Sequence, residues 1–146
     1  MSINTKDKAY GICIYKKNKN SIKILLCKST MSNTKWGTIK GGMEAGETKE
    51  QTAIREFQEE SSILVNKDLF EKYFEQINNE KDIGVYLVNY NNIKNIDKYF
   101  DNEMLKKEYL NWENSKITFF DINDLPTIKQ KQYKMVDNII QYLQKD

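Results

Sequence analysis

Residues 41–63 read GGMEAGETKEQTAIREFQEESSI, and Arg55, Glu56, Glu59 and Glu60 crowd into little more than one helical turn of it. Thr48 is a capping residue type placed just before the run, and Ala53, Ile54 and Phe57 supply an apolar stripe. The spacing predicts a helix from Thr48 to about Ser61 or Ser62. Glu56, Glu59 and Glu60 then stand at i, i+3 and i+4 on one face, where like charges repel and weaken the helix. Three such carboxylates seen alone are ordinarily a solvated face. Otherwise, something must hold them.

Composition narrows what that could be. The chain has 146 residues, 39% hydrophobic and 30% charged, which suits one soluble globular domain spanning 1–146. It contains no histidine and two cysteines, Cys13 and Cys27, each within an apolar run. Both read as buried free thiols, and a zinc site or a Ser-His or Cys-His mechanism lacks its residues. Catalysis would have to run on carboxylates, lysines, tyrosines or a hard metal ion. A net charge of +2 gives no bulk support for DNA binding. No apolar run reaches membrane-span length, and MSINTKDKAYG lacks a signal-peptide core, so a cytoplasmic location is expected. Basic residues are almost all lysine, and Arg55 is the single arginine. Its rigid fork can hold a carboxylate with two hydrogen bonds, which lysine cannot do.

Around this centre, 9–16 and 21–28 read as a strand hairpin and WGTIK (36–40) as a short extended segment. LFEKYFEQI (69–77) is ambiguous between helix and strand, and DIGVYLVNY (82–90) is a buried strand. Residues 91–114 are irregular, with a helical turn expected around NEMLKKEYL. SKITFFDI (115–122) is a strand, and 127–144 has the apolar spacing of an amphipathic helix covering a sheet. Strands alternating with helices in one domain imply a mixed α/β sheet between helical layers. Trp36 and Trp112 read as packing residues rather than base-stacking platforms, and Tyr10, Tyr86 and Tyr90 as core or sheet-face residues.

The stretch from Gly41 to Ile63 resembles the Nudix box, G-x5-E-x7-R-E-U-x-E-E-x-G-U, with Gly41, Glu47, Arg55, Glu56, Phe57, Glu59, Glu60 and Ile63 in register. One position departs, because Ser62 stands where the box has glycine. Serine serves there if the backbone is not left-handed. The resemblance implies a Nudix-type α/β/α sandwich and a hydrolase of phosphoanhydrides joining a nucleoside diphosphate to another group. It implies Mg²⁺ or Mn²⁺ held by Glu56, Glu59, Glu60 and the Gly41 carbonyl, with Arg55 and Glu47 as an orienting pair. Hard oxygen ligands independently suit those ions. In such enzymes either Glu56 or a glutamate of a later loop is the general base. The segment WENSKITFFDINDLP is similar to the family's E-x5-W-x5-LP pattern, which puts Glu113 in the loop role with Glu103 and Glu108 as rivals. Lys40 and Lys28 are candidates to touch phosphate, and Gly42 leaves room for its close approach.

The four residues between the paired glycines and Glu47 are similar to RNA 5′-pyrophosphohydrolases and diphosphoinositol polyphosphate phosphohydrolases. The expected substrate is a dinucleoside polyphosphate or an RNA 5′ end. The alternatives are a diphosphoinositol polyphosphate, or a module that binds nucleotide without catalysis. A non-catalytic module would be expected to have lost box glutamates or the arginine, and here all are present.

Overall fold

A computed structural model describes residues 6–32 and 34–145. Residues 1–5 of the N-terminal stretch MSINTKDKAYG, Asn33 and Asp146 lie outside that set. The strands are β1 (Asp7–Lys17), β2 (Ile22–Ser29), β3 (Ile39–Gly42), β4 (Lys72–Gln76), β5 (Lys81–Asn89), β6 (Phe100–Asp101), β7 (Met104–Leu105) and β8 (Asn114–Asp121). The helices are α1 (Lys49–Ser61) and α2 (Tyr133–Gln144). The strands form one mixed sheet in the order β4-β5-β1-β2-β8-β7-β6. β1 is central: β5 runs parallel to it from Asp7↔Lys81 to Tyr15↔Asn89. Its other edge is divided, with Ala9–Ile12 facing β3 and Tyr15–Lys17 facing β2.

Both faces of this sheet are covered, which explains why β1, β2 and β5 are apolar nearly throughout. Tyr10, Ile12, Ile14, Leu25 and Ile39 pack with Ala53 and Phe57 of α1. Cys13, Tyr15, Ile24, Leu26, Val85 and Leu87 pack on the opposite face with Met135, Val136, Ile139 and Leu143 of α2. The expected α/β/α sandwich is therefore present. Both cysteines are buried and unpaired, and burial pushes each thiol up to about 12. No helix among the described residues is long and apolar enough to cross a membrane.

Several local expectations change under tertiary contacts. The ambiguous segment resolves as β4, because Phe74 turns inward while the strand pairs antiparallel to β5. The helix expected from 127 starts only at Tyr133. Trp36 N–H donates to the Thr127 carbonyl and Lys129 N–H to the Trp36 carbonyl, so the backbone there is committed to an extended bridge. The turn expected at NEMLKKEYL shrinks to a 3-10 turn at Lys107–Tyr109, since Met104 pairs with Thr118 of β8. Ser62 corrects the condition set for it: φ is 68°, in the left-handed region glycine favours. Its N–H reaches the Gln58 carbonyl at 2.8 Å and its hydroxyl donates to the Tyr109 carbonyl at 3.1 Å, which offsets the strain.

Candidate active site

α1 begins with a full capping box. Thr48 Oγ1 accepts from Gln51 N–H at 3.1 Å, and Gln51 Oε1 accepts from Thr48 N–H at 2.9 Å. Ala53 and Phe57 bury the inner face of the helix, which turns Arg55, Glu56 and Glu59 toward the β3–α1 loop. Gly46 bends that loop at φ +83°, and Glu47 closes it by accepting from Glu44 N–H at 2.9 Å.

Arg55 is the hub. Its Nε and Nη2 donate to the two oxygens of Glu47 at 2.7 and 2.9 Å, the forked pairing only arginine provides. Nη2 also donates to the Gly42 carbonyl at 2.9 Å, and Nη1 to Glu56 at 3.1 Å and Glu59 at 3.2 Å. The Arg55 fork, with help from Glu44 N–H and Thr52, holds the Glu47 carboxyl down at about 2. Burial pushes Glu56 above the ordinary carboxylate range, although the Arg55 guanidinium opposes the shift. Gly41 leaves the space that this carboxyl occupies: a Cβ there would stand 2.0 Å from the Glu56 carboxyl carbon.

Glu60 is not among the partners of Arg55 and is 4% exposed. Asn114 Nδ2 donates to its Oε1 at 2.7 Å, while Oε2 is buried with no hydrogen-bond partner. Desolvation raises its carboxyl to about 7, with Glu56 and Glu113 adding repulsion. A buried carboxylate oxygen left bare is costly, so the arrangement asks for a cation or a proton.

Glu60 lines a cavity of about 230 Å³ together with Lys40, Glu113, Asn114, Thr38, Lys129 and Trp112, among others. Burial, and then Lys81 and Lys129, lower the Lys40 ammonium to about 8. Gly42 is turned instead toward a neighbouring crevice lined by Lys6, Lys8, Lys81 and Met43–Glu47. Of the loop candidates, Glu113 lies in the cavity, whereas Glu103 is salt-bridged to Lys16 and Lys23. Glu108 sits in the 3-10 turn Lys107–Tyr109. Lys28 lies over the Trp36 ring at 5.9 Å.

Two features were not legible in advance. Asn114 and Gln132 are buried polar residues of the site, and Gln132 Oε1 accepts from Thr38 N–H at 2.7 Å and from its hydroxyl at 2.8 Å. No local pattern marks either of them. Trp112 corrects the packing expectation, for it is 80% exposed on the cavity rim, unlike Trp36, which meets Phe120 edge-on at 4.7 Å.

This geometry can be set beside known proteins. The NUDIX domain family matches residues 5–139. An asymmetrical bis(5′-nucleosyl)-tetraphosphatase of Caenorhabditis elegans is 30% identical over 112 residues, covering 73% of this chain and 76% of the relative. A crystal structure of a C. elegans Ap4A hydrolase binary complex superposes with a TM-score of 0.57 at 22% identity, over 94% of this chain and 91% of that one. A MutT NUDIX hydrolase from Burkholderia pseudomallei gives 0.64 at 18% identity, over 93% and 99%. The family match spans the box, both strands of the hairpin and most of the closing helix, so the chain belongs to the NUDIX family, as a hydrolase of phosphoanhydride bonds.

Proposed function

We propose that this chain hydrolyses dinucleoside polyphosphates, using Mg²⁺ or Mn²⁺ held by Glu56, Glu59, Glu60 and the Gly41 carbonyl. The observation that carries the reading is the buried, partnerless Oε2 of Glu60, with the half-buried Glu56 carboxylate repelling it. Among the described residues no three acidic side chains are drawn together closely enough to hold an ion, and Arg55 Nη1 bridges Glu56 and Glu59. The donors are nonetheless all hard oxygens, the bare Oε2 is a ligand position, and Gly41 leaves the space Glu56 needs. The donor chemistry suits such a cation, which would draw Glu56, Glu59 and Glu60 closer together than they stand here. When bound, it supplies Lewis acidity and neutralises charge on the phosphate oxygens.

The protein side of the reaction follows from the geometry. Lys40 and Lys129 place positive charge in the cavity for the polyphosphate, whose phosphates favour the Lys40 ammonium against the lowering by burial. Glu56, with its affinity for a proton raised by burial, accepts the proton of the attacking water as a phosphoanhydride P–O bond breaks. Glu113 is the second base candidate, held by its carbonyl's bond from Thr30 N–H at 3.0 Å. Glu47 and Arg55 fix Glu56 and Glu59 in place. The substrate class is supported by the C. elegans tetraphosphatase relative, which is named for a dinucleoside polyphosphate.

The deciding experiment is product release with Mg²⁺ and Mn²⁺ from diadenosine tetraphosphate, 5′-triphosphorylated and capped RNA, nucleoside triphosphates and a diphosphoinositol phosphate. Preferred turnover of the dinucleotide, abolished in Glu59→Gln, is the expected result. Preference for RNA ends or the inositol compound would overturn the substrate. Ligand binding without turnover would overturn catalysis.

Arg55→Lys should lower kcat/KM by about 10–100-fold, because an ammonium cannot make the fork to Glu47 while reaching Gly42, Glu56 and Glu59. Steady-state kinetics across a metal titration check this. A change below twofold would mean the brace is idle.

A further inference from the structure

We infer that Trp112 is a stacking platform for one nucleobase of the substrate, at the rim of the cavity whose depth takes the phosphates. This rests on the nucleotide reading above and names how the non-phosphate end is recognised. Trp112 is 80% exposed, although a tryptophan commonly has 150–250 Å² to bury. Its backbone is not loose. Asn111 Nδ2 donates to the Glu59 carbonyl at 3.1 Å, Asn114 N–H to the Asn111 carbonyl at 3.2 Å, and Asn114 Nδ2 to Glu60. The turn carrying the indole is thus tied to the last turn of α1, while the ring is left uncovered.

A second apolar side chain stands on the same rim. Met31 is 91% exposed and lines the same cavity. Its turn is strapped to the Trp112 turn, since Thr30 donates to the Glu113 carbonyl through N–H at 3.0 Å and through its hydroxyl at 3.3 Å. Two fixed turns therefore present a flat ring and a polarisable thioether over a hole containing Lys40, Lys129, Glu60 and Glu113.

The occupant follows from that division. A cavity of about 230 Å³ is below the usual range for a whole small ligand, so a nucleotide would leave its base outside, at the rim. Two side chains make far too little apolar area for a protein interface, which needs about 800 Å² per partner. An inositol ring has no π face to stack on indole, and a nucleobase has one.

The test uses the full chain. Trp112→Ala should raise KM for diadenosine tetraphosphate about tenfold or more, with the larger part of the loss in KM rather than kcat, and Trp112→Phe should recover most of it. Melting temperature should hold in both, as the ring is exposed. In a Trp36→Phe background Trp112 is the one remaining indole of the chain's two. Its fluorescence should be quenched by adenosine triphosphate but not by inorganic tripolyphosphate. Unchanged KM in Trp112→Ala, with the wild type turning over the dinucleotide, overturns the platform and leaves the hydrolase reading standing. A quench by nucleotide without turnover keeps the platform and overturns the catalytic reading. Equal quenching by tripolyphosphate, or no quench and no turnover, overturns the platform.

Discussion

Replacing Glu56 by Gln is expected to lower kcat by about 10³-fold while the fold holds or gains stability. The loss follows from the proposed role of Glu56 as proton acceptor, whose removal costs about 10²–10⁴-fold in general. The stability follows from where the carboxylate sits. It rests against the bare Cα of Gly41, in surroundings that push its pKa up, so its charge is a cost to the metal-free protein. An amide of the same shape keeps an oxygen for Arg55 Nη1 and discards the charge. Steady-state kinetics and thermal melts on the same preparation read both effects. Activity within tenfold of wild type would transfer the base role to Glu113, and Glu113→Gln would then show the large loss instead.

The second large effect is on stability against pH in the metal-free protein. Glu60 is raised to about 7 in the fold by burial, whereas an unfolded glutamate titrates near 4.3. Between those values the folded chain holds a proton that the unfolded chain has released. Stability is therefore highest below pH 4.3 as far as this group is concerned, and it falls as pH rises toward 7. The full loss is about 4 kcal/mol, which in a chain of this size lowers the melting temperature by about 8–16 °C. Melts in EDTA across pH 4.5–7.5 should show the decline in the wild type and a flatter profile in Glu60→Gln. Adding Mg²⁺ at pH 7.5 should recover more stability in the wild type than in the variant. A wild-type profile as flat as the variant's would show that Glu60 keeps an ordinary pKa.

What could be read beforehand divides by the range of the interaction. The Thr48 cap and the buried stripe of α1 could be read from local spacing, and the Arg55–Glu47 pair from the resemblance to the box, all within 15 residues. The alternation of strands with helices likewise announced a mixed sheet between helical layers. Asn114 reaches Glu60 across 54 positions, and Gln132 reaches Thr38 across 94, with no periodicity to announce either. The late start of α2 has the same origin, because Trp36 claims the backbone that would otherwise have begun the helix. Trp112 was misjudged through a rule about residue type, since tryptophan usually packs, and only the anchoring of its turn shows that nothing covers it. Ser62 was misjudged because the left-handed turn belongs to the helix end rather than to the residue occupying it.

The long-range pairing of β1 governs when in synthesis the enzyme can form. Its β5 edge closes between Asp7 and Lys81, so the hairpin and α1 leave the ribosome before their central strand has its parallel neighbour. Parallel pairings of such separation are slow to nucleate, because the loop-closure entropy comes before the contacts that reward it. The whole glutamate-bearing helix has by then been translated, but Asn114 and Glu113 have not. A nascent chain ending at Asn89 would carry every box residue and still lack the turn that supports Glu60. Only once the chain has passed residue 114 can Asn114 hydrogen-bond Glu60 and β8 begin to pair with β2.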